Sequence, residues 1–283
     1  MNEISLYYTY SERGPGRVIE NLKTGLNFLG YNVIDNPDKP VGFLALLQDH
    51  PIWAKTNNNF LCGPNIFVAP TDNKKLCEKF QHFVCPSSWV QEMYRQFDCL
   101  NHATIDIWPV GIDTDMWSKK KQQTSNTKNI ILYTKHKSDI EVDNLIHRLL
   151  KMNVDVRHIK YGSYTEEHLQ SLCSQADACV LLTGTESQGI AYMQILSCGI
   201  PCYVIDQKNW HDDIRKLSFP ATSVPYFDDS CGVKYENFDN ETFNDFLSKT
   251  CYFDPRSFII KDHTLKESAK RYVQILQKNN CNA

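Results

Sequence analysis

The chain has 283 residues, 42% hydrophobic and 22% charged, which is enough to bury a substantial core in one large or two small domains. A formal net charge of −3 excludes a global basic footprint, so no nucleic-acid partner is expected. The opening "MNEISLYYTY" lacks the basic start and apolar run of a signal peptide, and no stretch of about 18 apolar residues occurs to span a bilayer. The 11 cysteines are odd in number and form no Cys-x-x-Cys pair, and several (Cys179, Cys198, Cys202) sit inside apolar runs. That usage fits free thiols in a reducing compartment, and the expected location is cytoplasmic, with peripheral membrane contact left open.

In chain order, "ISLYYTY" (4–10) reads as a strand and "SERGPGR" (11–17) as a glycine-rich loop. "VIENLKTGLNFLG" (18–30) places Val18, Leu22, Leu26 and Leu29 on one helical stripe that Gly30 stops. "YNVI", "GFLALL", "NIFVAP" and "HFVCP" are strand candidates, with Gly63-Pro64-Asn65 as a turn between the second and third. "SSWVQEMYRQF" is a helix capped by Ser87 or Ser88, and "ATIDIWPV" closes the first half. The polar run "SKKKQQTSNTKN" (118–129) cannot pack and reads as a solvated linker.

The second half repeats the pattern. "NIILYT" (129–134) is a strand, "EVDNLIHRLLKM" (141–152) a helix, "VDVRHI" (154–159) a strand and "KYGSY" a loop. "TEEHLQSLCSQAD" (165–177) is a helix capped by Thr165, with acids in its first turn. "ACVLLTG" (178–184) is almost wholly apolar, as the centre of a parallel sheet demands, and "PCYVID" (201–206) is the next strand. Strands separated by helices imply right-handed βαβ units. The expected architecture is α/β, two Rossmann-like lobes with parallel sheets facing a central cleft. The expected lobes are residues 1–112, joined by a C-terminal helix within 262–283 that crosses back, and residues 113–261. Loops after strands, at 11–17, 48–53, 135–138, 161–164 and 184–189, are expected to line that cleft.

Within "TESQGIAYMQILSCGIP" (185–201), Glu186 follows the central strand and Gly189 opens a helix. Unpaired N–H groups at such a helix start hold an anion such as a diphosphate. Gln194 lies one to two turns into the helix, within reach of the same place, where an amide can bond hydroxyls.

"ESQGIAYMQILSCGIPCYV" resembles the signature of retaining GT-B glycosyltransferases of the family 4 type (glycosyl transferases group 1). That signature has an acid, a glycine three residues on, a second acid eight residues on, and a closing Gly-x-Pro. Glu186, Gly189, Gly199 and Pro201 match, whereas Gln194 stands where the second acid is expected. "GPGR" (14–17) is similar to the loop that approaches the donor diphosphate. "VCPSSWVQEMY" (84–94) and "IWPVGIDTDMW" (107–117) are similar to later pieces of the family, in the family's order. "LKESAKRYVQILQK" (265–278) looks like its final helix.

The resemblance implies a metal-independent, retaining transfer of a hexosyl or pentosyl group from a UDP- or GDP-sugar to a glycan or glycoconjugate acceptor, with no cofactor other than the donor itself. It implies catalytic roles for Glu186, Lys135 and His50: Glu186 on the sugar hydroxyls, Lys135 on the diphosphate, His50 orienting acceptor or sugar. Donor contacts are expected from Gly14, Gly16, Arg17, Lys135, Lys137, Gly162, Glu186, Ser187, Gln188, Gly189, Ile190 and Gln194. Of these, Gly162 lies near the base and Gln194 at the ribose. The competing readings are a sugar-nucleotide epimerase and a non-catalytic nucleotide-sugar binder.

Overall fold

A computed structural model describes residues 2–9, 11, 14–45, 51, 60–118 and 127–280. The chain divides into two compact units, Met1–Gly111 with His263–Ala283, and Ile112–Asp262.

The first unit runs β1 (Asn2–Tyr8), α1 (Gly14–Phe28), β2 (Tyr31–Ile34), β3 (Val41–Leu44), β4 (Leu61–Cys62), α2 (Lys74–Lys79), β5 (His82–Cys85), α3 (Ser88–Tyr94) and β6 (Thr104–Ile107). The strands pair in parallel in the order β2-β1-β3-β4-β5-β6. Helix α1 buries Val18, Ile19, Leu22 and Leu26, the stripe its sequence period requires.

Two expectations are corrected in this unit and a third is narrowed. Residues 14–17 are not loop: α1 already begins at Gly14. "NIFVAP" forms no strand, because Asn65 sits at φ 65 and the chain turns on toward a 3₁₀ turn at Pro70–Asn73; the short β4 precedes it instead. Ser87 rather than Ser88 is the cap position of α3, and its hydroxyl makes no capping bond.

The second unit runs β7 (Asn129–Lys135), α4 (Asp139–Leu150), β8 (Asp155–Lys160), α5 (Glu166–Gln175), β9 (Ala178–Thr183), α6 (Ile190–Ser197), β10 (Cys202–Ile205), β11 (Asn209–Asp212), β12 (Leu217–Pro220), β13 (Gly232–Tyr235), α7 (Asn240–Ser248) and α8 (Pro255–Asp262). Its five-stranded sheet is parallel in the order β13-β10-β9-β7-β8, and β11 and β12 form a separate antiparallel hairpin. Every residue of the central strand β9 is buried. One face of the sheet packs Leu169, Met193, Ile195, Leu196 and Ile259, and the other packs Val142, Leu145, Leu149, Phe243 and Phe246. Helices therefore cover both faces, which explains why β9 is apolar throughout rather than alternating.

Helix α4 begins at Asp139, two residues before the expected start, because Ser138 and Glu141 form a reciprocal cap. Of the polar run 118–129, residues 119–126 lie outside the described residues, while Trp117 just before it is buried.

After the second unit the chain returns to the first through α9 (Leu265–Asn280). This helix packs on α1 at Gly25, where an added Cβ would lie 2.3 Å from the Leu265 carbonyl oxygen and 2.8 Å from the Ala269 Cβ. The Trp108 indole donates to the Ser268 carbonyl (2.9 Å) and its ring meets Tyr272 edge-on. Cysteines at described positions are free, and most are buried. Among the described residues, no helix is long and apolar enough to cross a membrane.

Candidate functional site

Taken in chain order, the sheet strands of the second unit (β7, β8, β9, β10, β13) sit as 2-1-3-4-5. The direction of the connections reverses between the first and third of these, β7 and β9. At such a point the loops leave on opposite sides, and the gap outside the strands' carboxyl ends is where ligands bind in open α/β sheets. Lys135 is the last residue of β7, in register with Thr183, the last residue of β9. The expected position just past the strand shifts by one residue, because the Gly184 N–H still donates to the Lys135 carbonyl (3.0 Å).

At this level Lys135 Nζ lies 2.8 Å from Glu186 Oε2, with side-chain exposures of 17% and 10%. The Lys135 ammonium also rests over the Tyr161 ring, 4.4 Å from its centroid. Burial pushes the Glu186 carboxyl above its ordinary value, and the neighbouring Lys135 charge works against that rise. A buried acid and a largely buried cation thus stand side by side at the switch point.

Gly189 is the cap residue of α6, at φ 76, with no side chain capping the helix start. A Cβ there would lie 1.9 Å from a ring carbon of Tyr192, and the left-handed backbone disfavours any side chain, so only glycine fits. Tyr192 is held in turn, its hydroxyl accepting from the Tyr226 N–H at 3.0 Å. Ser187 is half-buried, Gln188 buried, and Ile190 is the first residue of α6.

Lys137 donates to Gln207 Oε1 at 3.3 Å, on the segment after β10. Gly162, at φ 81 in the turn after β8, has open space where a Cβ would be. Gln194 is buried, but its amide donates to Glu166 Oε1 (3.1 Å) at the start of α5. The position expected to carry a second acid is therefore an amide already engaged by an acid from a neighbouring helix. In the first unit, Gly14, Gly16 and Arg17 form the opening turn of α1. A Cβ on Gly16 would overlap the Ser11 carbonyl oxygen, at 1.6 Å. His50 lies outside the described residues.

Sequence reasoning missed the segment that closes over the Glu186 turn. The Glu186 N–H donates to the Thr222 carbonyl (3.0 Å), and Asp206 accepts from the Thr222 hydroxyl and the Ser223 N–H, each at 2.7 Å. The available signal was an acid, Asp206, ending the apolar strand run "PCYVID". Among the described residues, no group of three or more His, Cys, Asp or Glu is placed to hold a metal ion.

No family model matches the chain, and no curated protein matches it. Solved structures do. AviGT4, a glycosyltransferase involved in avilamycin A biosynthesis, superimposes with a TM-score of 0.63 at 14% identity, covering 100% of this chain and 99% of its own. Sucrose-phosphate synthase from Thermosynechococcus elongatus gives 0.61 at 10% identity, with 100% of both chains covered. The catalytic domain of starch synthase IV from Arabidopsis thaliana, bound to ADP and acarbose, gives 0.63 at 10% identity over 98% of this chain and 99% of its own. The likeness is one of fold: the chain has the GT-B fold, with two Rossmann-like lobes built on parallel sheets.

Proposed function

We propose that the chain is a glycosyltransferase that moves a sugar from a nucleoside-diphosphate sugar, carried on UDP or GDP, to a hydroxyl of a glycan or glycoconjugate acceptor. The observation that carries this reading is the Lys135–Glu186 ion pair at the β7/β9 switch point, beside the start of α6 that no side chain caps.

A nucleoside-diphosphate sugar has an anionic diphosphate, a neutral sugar rich in hydroxyls, and a bond between them that breaks heterolytically. The diphosphate gains charge as that bond breaks. Lys135 and the N–H groups at Gly189 and Ile190 offer fixed positive ends for that charge, with Lys137 as a second cation. Donors held in place before the reaction lower the barrier more than any other single effect in chemistry of this kind. In this reading Lys135 exchanges its hold on Glu186 for the diphosphate, and Glu186 turns its acceptor oxygens to the donor sugar's hydroxyls. Transfer with retention places the new glycosidic bond on the face the diphosphate leaves. The acceptor hydroxyl proton passes to the departing phosphate oxygen, and Lys135 and Lys137 supply the positive charge that a metal would otherwise bring, so the reading is metal-independent. Starch synthase IV, with the same fold, was solved with ADP, a nucleoside diphosphate.

The test is turnover of a panel of UDP- and GDP-sugars against short glycan acceptors, read as nucleoside diphosphate release, with the anomeric configuration of the product read by proton NMR. The expected result is acceptor-dependent release with one donor and a retained anomeric centre. Conversion of a donor to its epimer without acceptor, or tight nucleotide binding with no release, would overturn it.

A further inference from the structure

Asp206 is a charged side chain only 1% exposed at the carboxyl end of β10, and it makes none of the donor contacts assigned above. Its Oδ1 accepts from the Thr222 hydroxyl and the Ser223 N–H, both at 2.7 Å, and its Oδ2 meets the half-exposed Lys208 ammonium at 2.9 Å. Between Asp206 and Ser223 the chain leaves the sheet, forms the β11–β12 hairpin and returns. The neck of this excursion is closed by Asp206 and by two further bonds. The Gln207 N–H donates to the Ser223 hydroxyl (3.0 Å), and the Ala221 N–H donates to the Lys208 carbonyl (2.8 Å).

The returning segment of the neck, after β12, touches the proposed site directly. The Thr222 carbonyl accepts the Glu186 N–H at 3.0 Å, and the Ser223 hydroxyl donates to the Thr183 carbonyl at 3.4 Å, at the end of β9. The turn 184–189 that it meets is a short loop between a strand and a helix whose cap is glycine. One carboxylate oxygen thus fixes Thr222 from its side chain and Ser223 from its backbone. Thr222 in turn fixes the backbone of Glu186.

We infer that Asp206 is a positioning residue: by pinning Thr222 and Ser223 it sets the backbone of Glu186, and so the aim of the Glu186 carboxylate and of the Lys135 ammonium beside it. The inference rests on the reading of Glu186 as a donor-sugar contact. A buried acid that merely closes a hairpin would use the same bonds, so the test must separate aim from closure.

Three variants do so: Asp206→Ala, Asp206→Asn and Thr222→Val. Asparagine keeps an acceptor oxygen for both Thr222 and Ser223, and its lost charge faces Lys208, which can turn to water. Alanine removes both bonds, and Thr222→Val removes the one from the Thr222 hydroxyl, together with the Val224 N–H bond to that hydroxyl (3.2 Å), while keeping the carbonyl that holds Glu186. Steady-state release of nucleoside diphosphate from UDP-glucose and GDP-mannose, each with a short glycan acceptor, is measured well below each variant's unfolding temperature. Amide exchange at Glu186 is followed alongside.

A misplaced turn is expected to lower kcat on the order of 10²-fold in Asp206→Ala, with donor KM little changed. Thr222→Val falls between alanine and wild type, and Asp206→Asn recovers most of the loss. Glu186 amide exchange should speed up in Asp206→Ala and stay protected in Asp206→Asn. Wild-type kcat in Asp206→Ala, or equal losses in the alanine and asparagine variants, would overturn the positioning role. If Glu186→Gln itself turns over normally, the functional reading fails instead. The exchange measurement still shows whether Asp206 sets the Glu186 backbone, and unchanged exchange in Asp206→Ala overturns that. Should Asp206→Ala not fold, Thr222→Val carries the same comparison, and a wild-type kcat there overturns the inference.

Discussion

The Glu186 carboxyl is buried and pushed above its ordinary value, with Lys135 opposing the shift. With its folded value above 4.5, the native state holds more protons than the unfolded chain just above that pH, so this group's contribution to stability falls as pH rises through the window. Glu186→Gln removes that liability. Its amide oxygen still accepts from Lys135, so its melting temperature at pH 7 is expected to stay close to wild type, while turnover drops on the order of 10²-fold or more. Calorimetry and product release check both halves, and a fully active variant would take Glu186 out of the chemistry.

Lys135→Met does the reverse. It leaves a buried carboxylate without its cation, at a cost of about 3 kcal/mol when ionised. Its loss of stability should be largest at pH 8 and small at pH 5, where the carboxyl can take up a proton. A flat pH profile in thermal unfolding would show that the pair contributes nothing. At this scale the sequence was informative in part. The placement of Glu186 in the turn after β9 and of Gly189 at the start of α6 was legible, because an all-apolar strand, a short polar loop and a glycine before an apolar helical run mark that turn. The bonding of Gln194 to Glu166 was not, since it joins two helices 28 residues apart in sequence.

Elements were legible wherever period and burial agree. β7 and β9 are short apolar runs in a sheet covered on both faces, and α1 and α4 each bury one stripe. The hairpin β11–β12 escaped notice because "NWHD" and "LSFP" carry no apolar run and pair only with each other. "NIFVAP" misled for the opposite reason: its apolar residues fill a turn between Pro64 and Pro70 rather than a ladder.

Helix α4 supplies a test of local chemistry. Ser138 accepts from the Glu141 N–H (3.2 Å), and the Glu141 carboxylate accepts from the Ser138 N–H (3.0 Å) and hydroxyl (2.8 Å), bonds that hold its carboxyl below the ordinary value. That contribution is present above pH 4.5 and is lost as pH falls through the folded value. Ser138→Ala is expected to cost about 1 kcal/mol, read as a drop of roughly 2–4 °C in the unfolding of this unit. No change at pH 7 would mean the cap is not formed in solution.

For the whole molecule, the two units repeat one device: each sheet begins with a 2-1-3-4 strand order and so carries its own switch point, at β1/β3 and at β7/β9. The alternation of strands and helices made this architecture legible before any contact was known. The place where α9 rejoins the first unit depends on a detail sequence could only suggest, the close approach at Gly25. Gly25→Ala should gain helix propensity yet lose more by pushing α1 from the Leu265 carbonyl, a net cost of about 1–2 kcal/mol confined to the unfolding of the first unit. A rise in that transition would show that the two helices have room to spare.

In this reading the β7/β9 switch point of the second unit holds a nucleoside diphosphate through Lys135. Isothermal titration of UDP and GDP into the wild-type chain and into Lys135→Ala tests it most directly. One of the two is expected to bind the wild type and to bind Lys135→Ala about tenfold or more weakly, as follows from the loss of a buried charge-assisted contact worth about 1.5–3 kcal/mol. Equal affinity in both proteins, or no binding of either nucleotide, would contradict it.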